Sequence, residues 1–426
     1  MSLKLSVFGR RYARATGILE LMDDLGQAMS GDNPALMLGG GNPGRVPEVE
    51  AILRRRLAEI AENDREYATA FSNYAHPSGE IRMREALAEL LREQYGWSVT
   101  ADNVALTAGG QSAFYLLFNL LAGEMPDGST RRILLPLMPE YVGYADVGMT
   151  ESMFCSVQPA IEELPDHFFK YHVNFDAVQI DDSIGAVCVS RPTNPTGNVV
   201  TDQEIEQLDS LCRQADVPLI IDCAYGLPFP GIVFVDAQPR WNDNIVYCMS
   251  LSKLGLPGVR TGIVVARPEV IEALTQVTAT LQLAVGSVGP QMVAELIRSR
   301  EILTLAREHI MPFYRDRAAA CVEWLREALD GVPYRIHQPE GAIFLWLWLP
   351  GFPVSSEALY QTLKRAGVLV MSGHHFFPGC DAQWRHRDEC LRISFAMDEA
   401  TVRAGVELIG RVVRAVYQDQ DVEALG

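Results

Sequence analysis

The sequence lacks the features typical of disulfide-rich, zinc-binding or nucleic-acid-binding proteins. Its eight cysteines are spread over 426 residues with no C-x-x-C pair, as reduced apolar cysteines usually are. Basic residues are few, since 36 lysines and arginines stand against 54 acidic residues and the net charge is −18. An acidic chain has no basic field that would attract nucleic acid or an anionic membrane. We therefore expect a cytoplasmic protein with reduced cysteines and neither of those partners.

No apolar run near either end is long enough to cross a membrane. The segment 341–352, GAIFLWLWLPGF, covers about half of a bilayer span and predicts a buried strand instead. The first nineteen residues contain no acid and no uninterrupted apolar core for secretion. Their basic side chains imitate an organelle transit peptide, and these are Lys4, Arg10, Arg11 and Arg14. We favour an N-terminal arm of the folded protein over a targeting segment.

The length and the hydrophobic pattern predict an α/β protein with two domains. From about residue 100 to 266, short runs rich in Val, Ile and Leu alternate with helical patterns, which indicates a mostly parallel sheet covered on both faces. From about residue 330 the strands differ in kind and are followed by a long amphipathic helical pattern. We predict that residues 1–50 form an N-terminal arm and part of the small domain. Residues 51–325 then form the large domain, and residues 326–426 form a smaller α+β domain.

One segment of eleven residues, SLSKLGLPGVR (250–260), indicates the chemistry. It follows the apolar run IVYCM (245–249), so Lys253 should lie at the carboxyl edge of a sheet, where open α/β sheets bind ligands. A desolvated lysine near other cations becomes a nucleophilic amine that can form a Schiff base. The hydroxyls of Ser250 and Ser252 and the guanidinium of Arg260 suit a phosphate. An amine beside a phosphate site predicts pyridoxal phosphate, although an ordinary Ser-Lys turn with a surface arginine is the alternative.

Other unusual polar or glycine residues also follow predicted strands. They are Gly109, Gly110, Gln111, Tyr141, Asn194, Asp222 and Tyr225. Because the carboxyl ends of parallel strands line one rim, these residues should meet Lys253 in one crevice. Each alone has an ordinary explanation as a helix cap, an Asx-turn or a core aromatic, but their joint placement favours a cofactor site. Gly110 and Gln111 open a helix, so their N–H groups and the helix dipole can hold the phosphate.

The chemistry of such a cofactor uses each of these side chains. The carboxylate of Asp222 can keep the pyridine nitrogen protonated, which makes the ring an electron sink. Asn194 and Tyr225 can donate to the phenolic oxygen of the ring, and Tyr141 has a flat face for stacking on it. Arg392, in LRISFA, offers a two-pronged fork for a substrate carboxylate, although a surface ion pair would also explain it.

Two further patterns hint at other ligands. GGGNPG (39–44) satisfies G-x-G-x-x-G, but Pro43 removes an N–H that a pyrophosphate would need, so we do not expect a dinucleotide site. Histidines and cysteines crowd together near the C-terminus, but their spacing fits no tight zinc pattern. These residues are His374, His375, Cys380, His386 and Cys390. We expect no metal.

The ordered motifs NPTG (194–197), DCAY (222–225) and SLSKxGLPGxR, followed by a late R-I-S-F, resemble those of the fold-type I aminotransferases. MLGGGNP, PEYVGYAD, AYGLPFPGI, PEGAIFLWLW and GHHFFPG are similar to the branch of that family that exchanges an amino group between L-valine and pyruvate. The resemblance runs from about Phe8 to the final helix. It implies a large domain with a mostly parallel seven-stranded sheet and a smaller α+β domain. It also implies a two-stage, ping-pong reaction that yields 3-methyl-2-oxobutanoate and L-alanine.

The resemblance implies the same roles for the residues named above, with Lys253 as Schiff-base lysine and proton shuttle. It adds Tyr74, which matches a tyrosine that reaches the cofactor phosphate of the neighbouring subunit and so implies a homodimer with shared sites. Gly40, Asn194 and Arg392 fall where the family binds its substrate. Gly110 replaces a hydroxyl residue common in the phosphate turn, for which Ser112 could compensate. The alternative function is another pyridoxal-phosphate aminotransferase or a β-lyase acting on small or apolar amino acids.

Overall fold

The computed structural model describes residues 3–13, residue 19 and residues 35–419. Its strands, in chain order, are β1 Leu36–Met37, β2 Val104–Thr107, β3 Gly123–Glu124, β4 Thr130–Leu135, β5 Phe154–Ser156, β6 Ala160–Glu163, β7 Phe168–His172, β8 Ile184–Ser190, β9 Leu219–Asp222, β10 Ile245–Ser250, β11 Gly262–Val265, β12 Arg335–His337, β13 Phe344–Trp348, β14 Val368–Leu369, β15 Met371–Ser372 and β16 Cys390–Ser394.

The α-helices are α1 Val7–Tyr12, α2 Pro47–Glu62, α3 Asp64–Tyr67, α4 Ile81–Tyr95, α5 Gly110–Leu121, α6 Asp202–Gln214, α7 Pro268–Gln282, α8 Val288–Arg298, α9 Glu301–Thr304, α10 Met311–Ala328, α11 Ser356–Arg365 and α12 Glu399–Tyr417. Short 3₁₀ turns lie at Ala101–Asn103, Val142–Tyr144, Ser252–Leu254, Pro257–Val259, Gly373–Phe376 and Arg385–Asp388, and π-helical turns at Ala68–Ser72 and Leu305–Ile310.

The large sheet has seven strands in the order β2-β11-β10-β9-β8-β4-β5, and the two-residue β3 pairs antiparallel to β4. The strand β11 runs antiparallel to both of its neighbours, while the other six point the same way. The interior strands are fully buried, which explains their continuous Val and Ile runs. The predicted fold class, a mostly parallel seven-stranded sheet with a smaller α+β domain, is confirmed.

A second sheet has the order β15-β16-β13-β12-β7-β6. Four of its strands come from the C-terminal quarter, but the hairpin of β6 and β7 comes from residues 160–172. β7 pairs in parallel with β12, and the buried Lys170 forms an ion pair with Glu340. The hairpin therefore crosses the predicted boundary between the domains, and the division at residues 50 and 325 stays a prediction.

The N-terminal segment contacts both parts of the molecule. β1 pairs with β14 of the C-terminal region, whereas the side chains of α1 reach the loop after β4. Arg11 donates to the carbonyls of Gly148 and Thr150, at 2.5 Å each, and the Tyr12 hydroxyl donates to that of Val147. Arg14 lies outside the described residues. Among the helices that the structure describes, none is both long and apolar enough for a membrane span. The predicted cytoplasmic location stays a prediction.

Candidate active site

The predicted site residues stand at the carboxyl ends of the large sheet. Asp222 is the last residue of β9 and Ser250 the last of β10, while Gly109 follows β2 by two residues. Lys253 lies in the 3₁₀ turn directly after β10. Parallel strands bring these ends to one rim, and the side chains of the second sheet close the crevice from the other side.

Lys253 faces a carbonyl and an aromatic ring. Its half-buried ammonium donates to the carbonyl of Gly41 and lies 5.2 Å from the centre of the Tyr225 ring. Removal from water, with the nearby cations Arg392 and Arg260 acting in the same direction and Asp222 opposing them, lowers the pKa of Lys253 to about 8. A substantial neutral fraction near physiological pH is what a nucleophilic amine requires.

Asp222 is a buried carboxylate held by two donors. The Tyr144 hydroxyl donates to Oδ2 at 2.6 Å and the amide of Ala224 donates to Oδ1 at 2.9 Å. Burial raises the pKa of Asp222, while these two bonds and the charge on Lys253 act in the opposite direction. Tyr144 was not predicted, although its position three residues after Tyr141 in PEYVGYAD places both tyrosines on one turn.

Arg392 is fully enclosed and joins three segments. Its Nη1 donates to Asn194 Oδ1 at 2.8 Å and its Nη2 to the carbonyl of Gly39 at 2.6 Å. The guanidinium lies over the rings of Phe344 and Phe376, at 4.0 and 5.2 Å. Its buried Nε has no partner in the described chain, which leaves one donor available for a ligand.

The predicted phosphate cup has a bare backbone on one side and a cation on the other. Gly109 adopts φ +92°, which favours glycine, and a Cβ built on it would lie 2.2 Å from Nη2 of Arg260, so a side chain here would displace the guanidinium. Ser250 Oγ lies 3.1 Å from Ser252 Oγ. The side chain of Gln111 does not face this cup, because it donates to the carbonyl of Gly143 at 2.9 Å.

Three more predicted residues lie around this group. The hydroxyl of Ser112 donates to the carbonyl of Ala108 at 3.2 Å, and its role in place of the hydroxyl that Gly110 lacks stays a prediction. Tyr141 packs edge-on against Tyr144 with ring centres 5.4 Å apart. Tyr74 is 85% exposed in this single chain.

The glycine run 39–44 belongs to this site. The carbonyl of Gly39 accepts a hydrogen bond from Arg392, and the carbonyl of Gly41 accepts one from Lys253. The half-buried Gly40 lies between these two glycines. Gly40 was predicted to line the substrate site, but the contacts of the Gly39 and Gly41 carbonyls were not predicted. Carbonyl contacts leave little trace in a sequence, apart from the need for small residues.

The histidines and cysteines near the C-terminus separate into two places. His386 and Cys390 are buried together, where His386 Nε2 meets the Tyr171 hydroxyl at 2.5 Å. His374 instead binds the Ser372 hydroxyl at 2.7 Å. Glu357, His374 and His375 bring donor atoms within 4.8 Å of one another. The expectation of no metal stays a prediction.

Comparison with protein families explains why these residues occur together. The family model "Aminotransferase class I and II" matches residues 50–409, most of the chain. The chain belongs to the class I and II aminotransferases. This confirms the predicted family, whose members typically depend on pyridoxal phosphate.

Individual relatives match this aminotransferase over nearly its whole length. It is 45% identical over 417 residues to the valine–pyruvate aminotransferase of Escherichia coli K12, covering 98% of this chain and 100% of that one. The crystal structure of the valine–pyruvate aminotransferase of Salmonella typhimurium LT2 has a TM-score of 0.87 and 45% identity, covering 95% and 100% of the two chains. A crystal structure from Psychrobacter arcticum 273-4, named only as an amino-acid aminotransferase, has a TM-score of 0.95 and 42% identity, covering 98% and 100%.

Proposed function

We propose that this aminotransferase uses pyridoxal phosphate to move the amino group of L-valine to pyruvate, giving 3-methyl-2-oxobutanoate and L-alanine. The observation that carries the choice of substrates is the 45% identity to a valine–pyruvate aminotransferase over 98% of the chain. The placement of Lys253, Asp222 and Arg392 in one crevice supports the chemistry independently of that similarity.

The donor set of the crevice fits the cofactor. Lys253 presents an amine of lowered pKa, and Asp222 presents a buried carboxylate whose anion the charge on Lys253 stabilises. Gly109 leaves its backbone bare opposite Arg260, as a phosphate group requires. Pyridoxal phosphate, when bound, supplies an aldehyde that takes up the amino group and a ring that withdraws electrons from the substrate.

Two residues handle protons in this proposal. The amine of Lys253 would hold the cofactor and, when freed by the substrate amine, would act as the base that moves the proton of the substrate Cα. Asp222 pairs with the ring nitrogen and keeps a proton on that atom, for which its anionic form is needed. One site of this kind would accept L-valine and pyruvate in turn, which would give a ping-pong sequence.

The hydrogen bond that Arg392 donates to Asn194 fixes the orientation of the Asn194 side-chain amide. A guanidinium only donates, so Asn194 must turn its amide oxygen to Arg392, and its amide nitrogen then remains as a donor for the phenolic oxygen of the ring. Tyr225 is the second donor there, and Tyr141 provides the ring for stacking. The free Nε of Arg392 supports its role in binding the substrate carboxylate beside the backbone of Gly40.

The phosphate partners in this proposal are Gly109, the amides of Gly110 and Gln111, Ser250, Ser252 and Arg260. The helix α5 begins at Gly110, so its first N–H groups lack partners within the helix and its dipole favours an anion. Tyr74 completes the group from a second subunit, so the active protein is a homodimer.

The experiment is a single-turnover and steady-state assay of Lys253→Ala beside wild type. Wild type should lose its imine absorbance when L-valine is added and should convert pyruvate to L-alanine. Lys253→Ala should bind the cofactor yet lose at least about 10³-fold in turnover, because no other group moves the proton. Unreduced turnover in Lys253→Ala would overturn the proposal. Release of ammonia in place of alanine would favour a β-lyase, and no spectral response to valine would reject that donor.

A further inference from the structure

A second buried carboxyl group lies close to Asp222 and has no role in the function proposed above. Glu140 is 0% exposed, at the end of the loop that follows β4. The amide of Ser190 donates to its Oε1 at 2.7 Å, and the Ser190 hydroxyl binds its Oε2. The amide of Tyr141 makes a longer contact, 3.3 Å, with Oε2. Glu140 is therefore fixed on both oxygens.

Two hydroxyl groups connect this carboxyl to Asp222. The Ser190 hydroxyl lies 3.4 Å from the Tyr144 hydroxyl, which in turn donates to Asp222 at 2.6 Å. The four groups form one line, from Glu140 through Ser190 and Tyr144 to Asp222. All four residues are buried, with Asp222 the most exposed at 7%.

The number of protons on these four groups determines which of them donates each hydrogen bond in the line. Each hydroxyl carries one proton, and that of Tyr144 is already given to Asp222. If Glu140 were an anion, Ser190 would donate to it and the Tyr144 oxygen would receive nothing. If Glu140 carries a proton, it donates to Ser190, Ser190 donates to Tyr144, and every bond in the line strengthens the next.

The charges around Glu140 favour the protonated form. The titratable groups that face it are Asp222, Tyr144 and Cys188, all of which are anionic when they ionise. No lysine, arginine or histidine of the described chain pairs with its carboxyl. Burial, with the charge of Asp222 adding to it, raises the pKa of Glu140 to about 8. Of the two carboxyl groups, Asp222 carries the negative charge, because the nearby charge on Lys253 stabilises its anion.

We propose that Glu140 is a positioning residue that acts as a neutral carboxylic acid, donating through Ser190 and Tyr144 so that Asp222 is the single anion offered to the ring nitrogen of the cofactor. The last step, from Asp222 to the ring nitrogen, rests on the proposed function. The line of donors itself is a property of the protein without its cofactor.

The first experiment measures the proton directly, in the protein freed of cofactor. The infrared spectrum of wild type at pH 7 should contain the carbonyl band of a buried protonated carboxyl. Glu140→Gln should lack that band, and wild type should lose it as the pH rises past about 8. Glu389→Gln, which removes another buried carboxyl, should keep it. A wild-type spectrum at pH 7 without the band would overturn the proposal.

The second experiment measures the effect on the ring anchor. Pyridoxamine 5′-phosphate is the probe, since it cannot form the bond to Lys253 and its affinity reports the remaining contacts. Glutamine mimics the neutral acid, because its N–H₂ can donate to Ser190. We expect Glu140→Gln to bind the probe within about twofold of wild type at pH 7, and Glu140→Leu and Ser190→Ala to bind it about tenfold more weakly. Between pH 7 and 9, wild type should lose affinity relative to Glu140→Gln.

Each result has a distinct meaning, once circular dichroism has shown that the variants are folded. Equal losses in Glu140→Gln and Glu140→Leu would show that Glu140 works as an anion, and unchanged binding in all variants would show that the line does not act on the ring. Both overturn the proposal. If the infrared band is present but wild type does not bind the probe, the proposed function fails while the protonated Glu140 stands.

Discussion

At the scale of single residues, the close approach of Gly109 and Arg260 shapes the proposed phosphate cup. Arg260 adopts φ +47°, an uncommon backbone conformation for a residue with a side chain, and its guanidinium occupies the space that a Cβ at position 109 would need. Strain of this kind persists where the surrounding structure fixes it, typically at functional sites.

Substitution of Gly109 by alanine tests this contact. We expect Gly109→Ala to displace Arg260 and to weaken cofactor binding at least about tenfold, because a charged contact to the phosphate is lost. Gly128→Ala is the matched control, since Gly128 has a similar φ of +83° but open space around its Cβ position. Fluorescence titration with pyridoxal phosphate measures both affinities. Equal affinities in the two variants would contradict the assignment of Arg260.

The residues of the site were predictable from the sequence where a strand end or a motif marked them. Asp222 and Lys253 follow apolar runs directly, so their convergence could be inferred from the topology of a parallel sheet. Glu140 and Tyr144 lie in a loop whose path no periodic pattern reveals. Their connection to Asp222 depends on two distances that only the folded chain supplies. The Tyr144 hydroxyl lies 3.4 Å from the Ser190 hydroxyl and 2.6 Å from Asp222 Oδ2.

At the scale of elements, helix α6 shows how local sequence holds the Asn194 loop. Its first residue, Asp202, binds the guanidinium of Arg191 at 2.5 Å, and Arg191 also donates to the carbonyl of Val200 at 2.6 Å. Thr201 and Glu204 form a reciprocal capping box at the helix start. The start of the helix therefore fixes both ends of the segment that carries Asn194.

Loss of the Thr201 cap should destabilise the protein without removing its chemistry. We expect Thr201→Ala to lower the free energy of unfolding by about 1 kcal/mol, since the N–H of Glu204 loses its acceptor. Thr280→Ala, at an exposed position within α7, should change it by less than about 0.5 kcal/mol. Urea denaturation compares the two. A Thr201→Ala variant as stable as Thr280→Ala would show that the cap contributes nothing.

The same helix shows where prediction by pattern succeeds and where it fails. The spacing of Ile205, Leu208, Leu211 and Cys212 is typical of one apolar helix face, and three of them are buried, but Leu211 is only partly so. The polar Asp209 is buried on this helix, whereas Leu211 is not, and its carboxylate accepts a hydrogen bond from the side chain of Asn242 at 2.9 Å. The hairpin at 160–172 was not predicted either, since its strand β7 pairs with β12, more than 150 residues away.

At the scale of the whole molecule, the second sheet encloses neutral histidines. His337 is fully buried, and Nε2 of its ring accepts from the amide of Tyr171 at 3.2 Å. Burial and the nearby Lys170 lower its pKa to about 3. Burial also lowers the pKa of His386 to about 4. Protonation of either ring requires a charge to be placed in an apolar core.

Stability should therefore fall as the pH falls. The folded pKa of His337 lies below the ordinary 6.5, so the unfolded chain binds the proton first, and the stability present above pH 6.5 is lost toward pH 3. Between pH 6.5 and 4.5 this one group accounts for about 2 kcal/mol. Urea denaturation of wild type and His337→Gln at both pH values measures the difference. His309→Gln is the control, and a wild-type slope equal to that of His337→Gln would contradict the assignment.

The surface around Tyr74 has the exposed side chains that the proposed homodimer would cover. The segment 67–81 leaves four large apolar or aromatic side chains exposed, and these are Tyr67 (48%), Phe71 (53%), Tyr74 (85%) and Ile81 (47%). Exposed apolar surface of this extent on one segment is typical of an interface. A second copy of this chain, placed over the segment, would cover these side chains and bring Tyr74 to the neighbouring phosphate cup.

This arrangement predicts that cofactor affinity depends on protein concentration. In a dimer the Tyr74 hydroxyl adds one hydrogen bond to the phosphate, whereas in a diluted, dissociated chain it adds none. We expect wild type to lose about tenfold in affinity for pyridoxal phosphate on dilution through the dimer dissociation range, which sedimentation velocity defines. Tyr74→Phe should bind about tenfold more weakly in the dimer and should lose correspondingly less on dilution. Tyr67→Phe, a neighbouring exposed tyrosine, should follow wild type. If Tyr74→Phe loses as much affinity on dilution as wild type does, this hydroxyl does not reach the site of the second subunit.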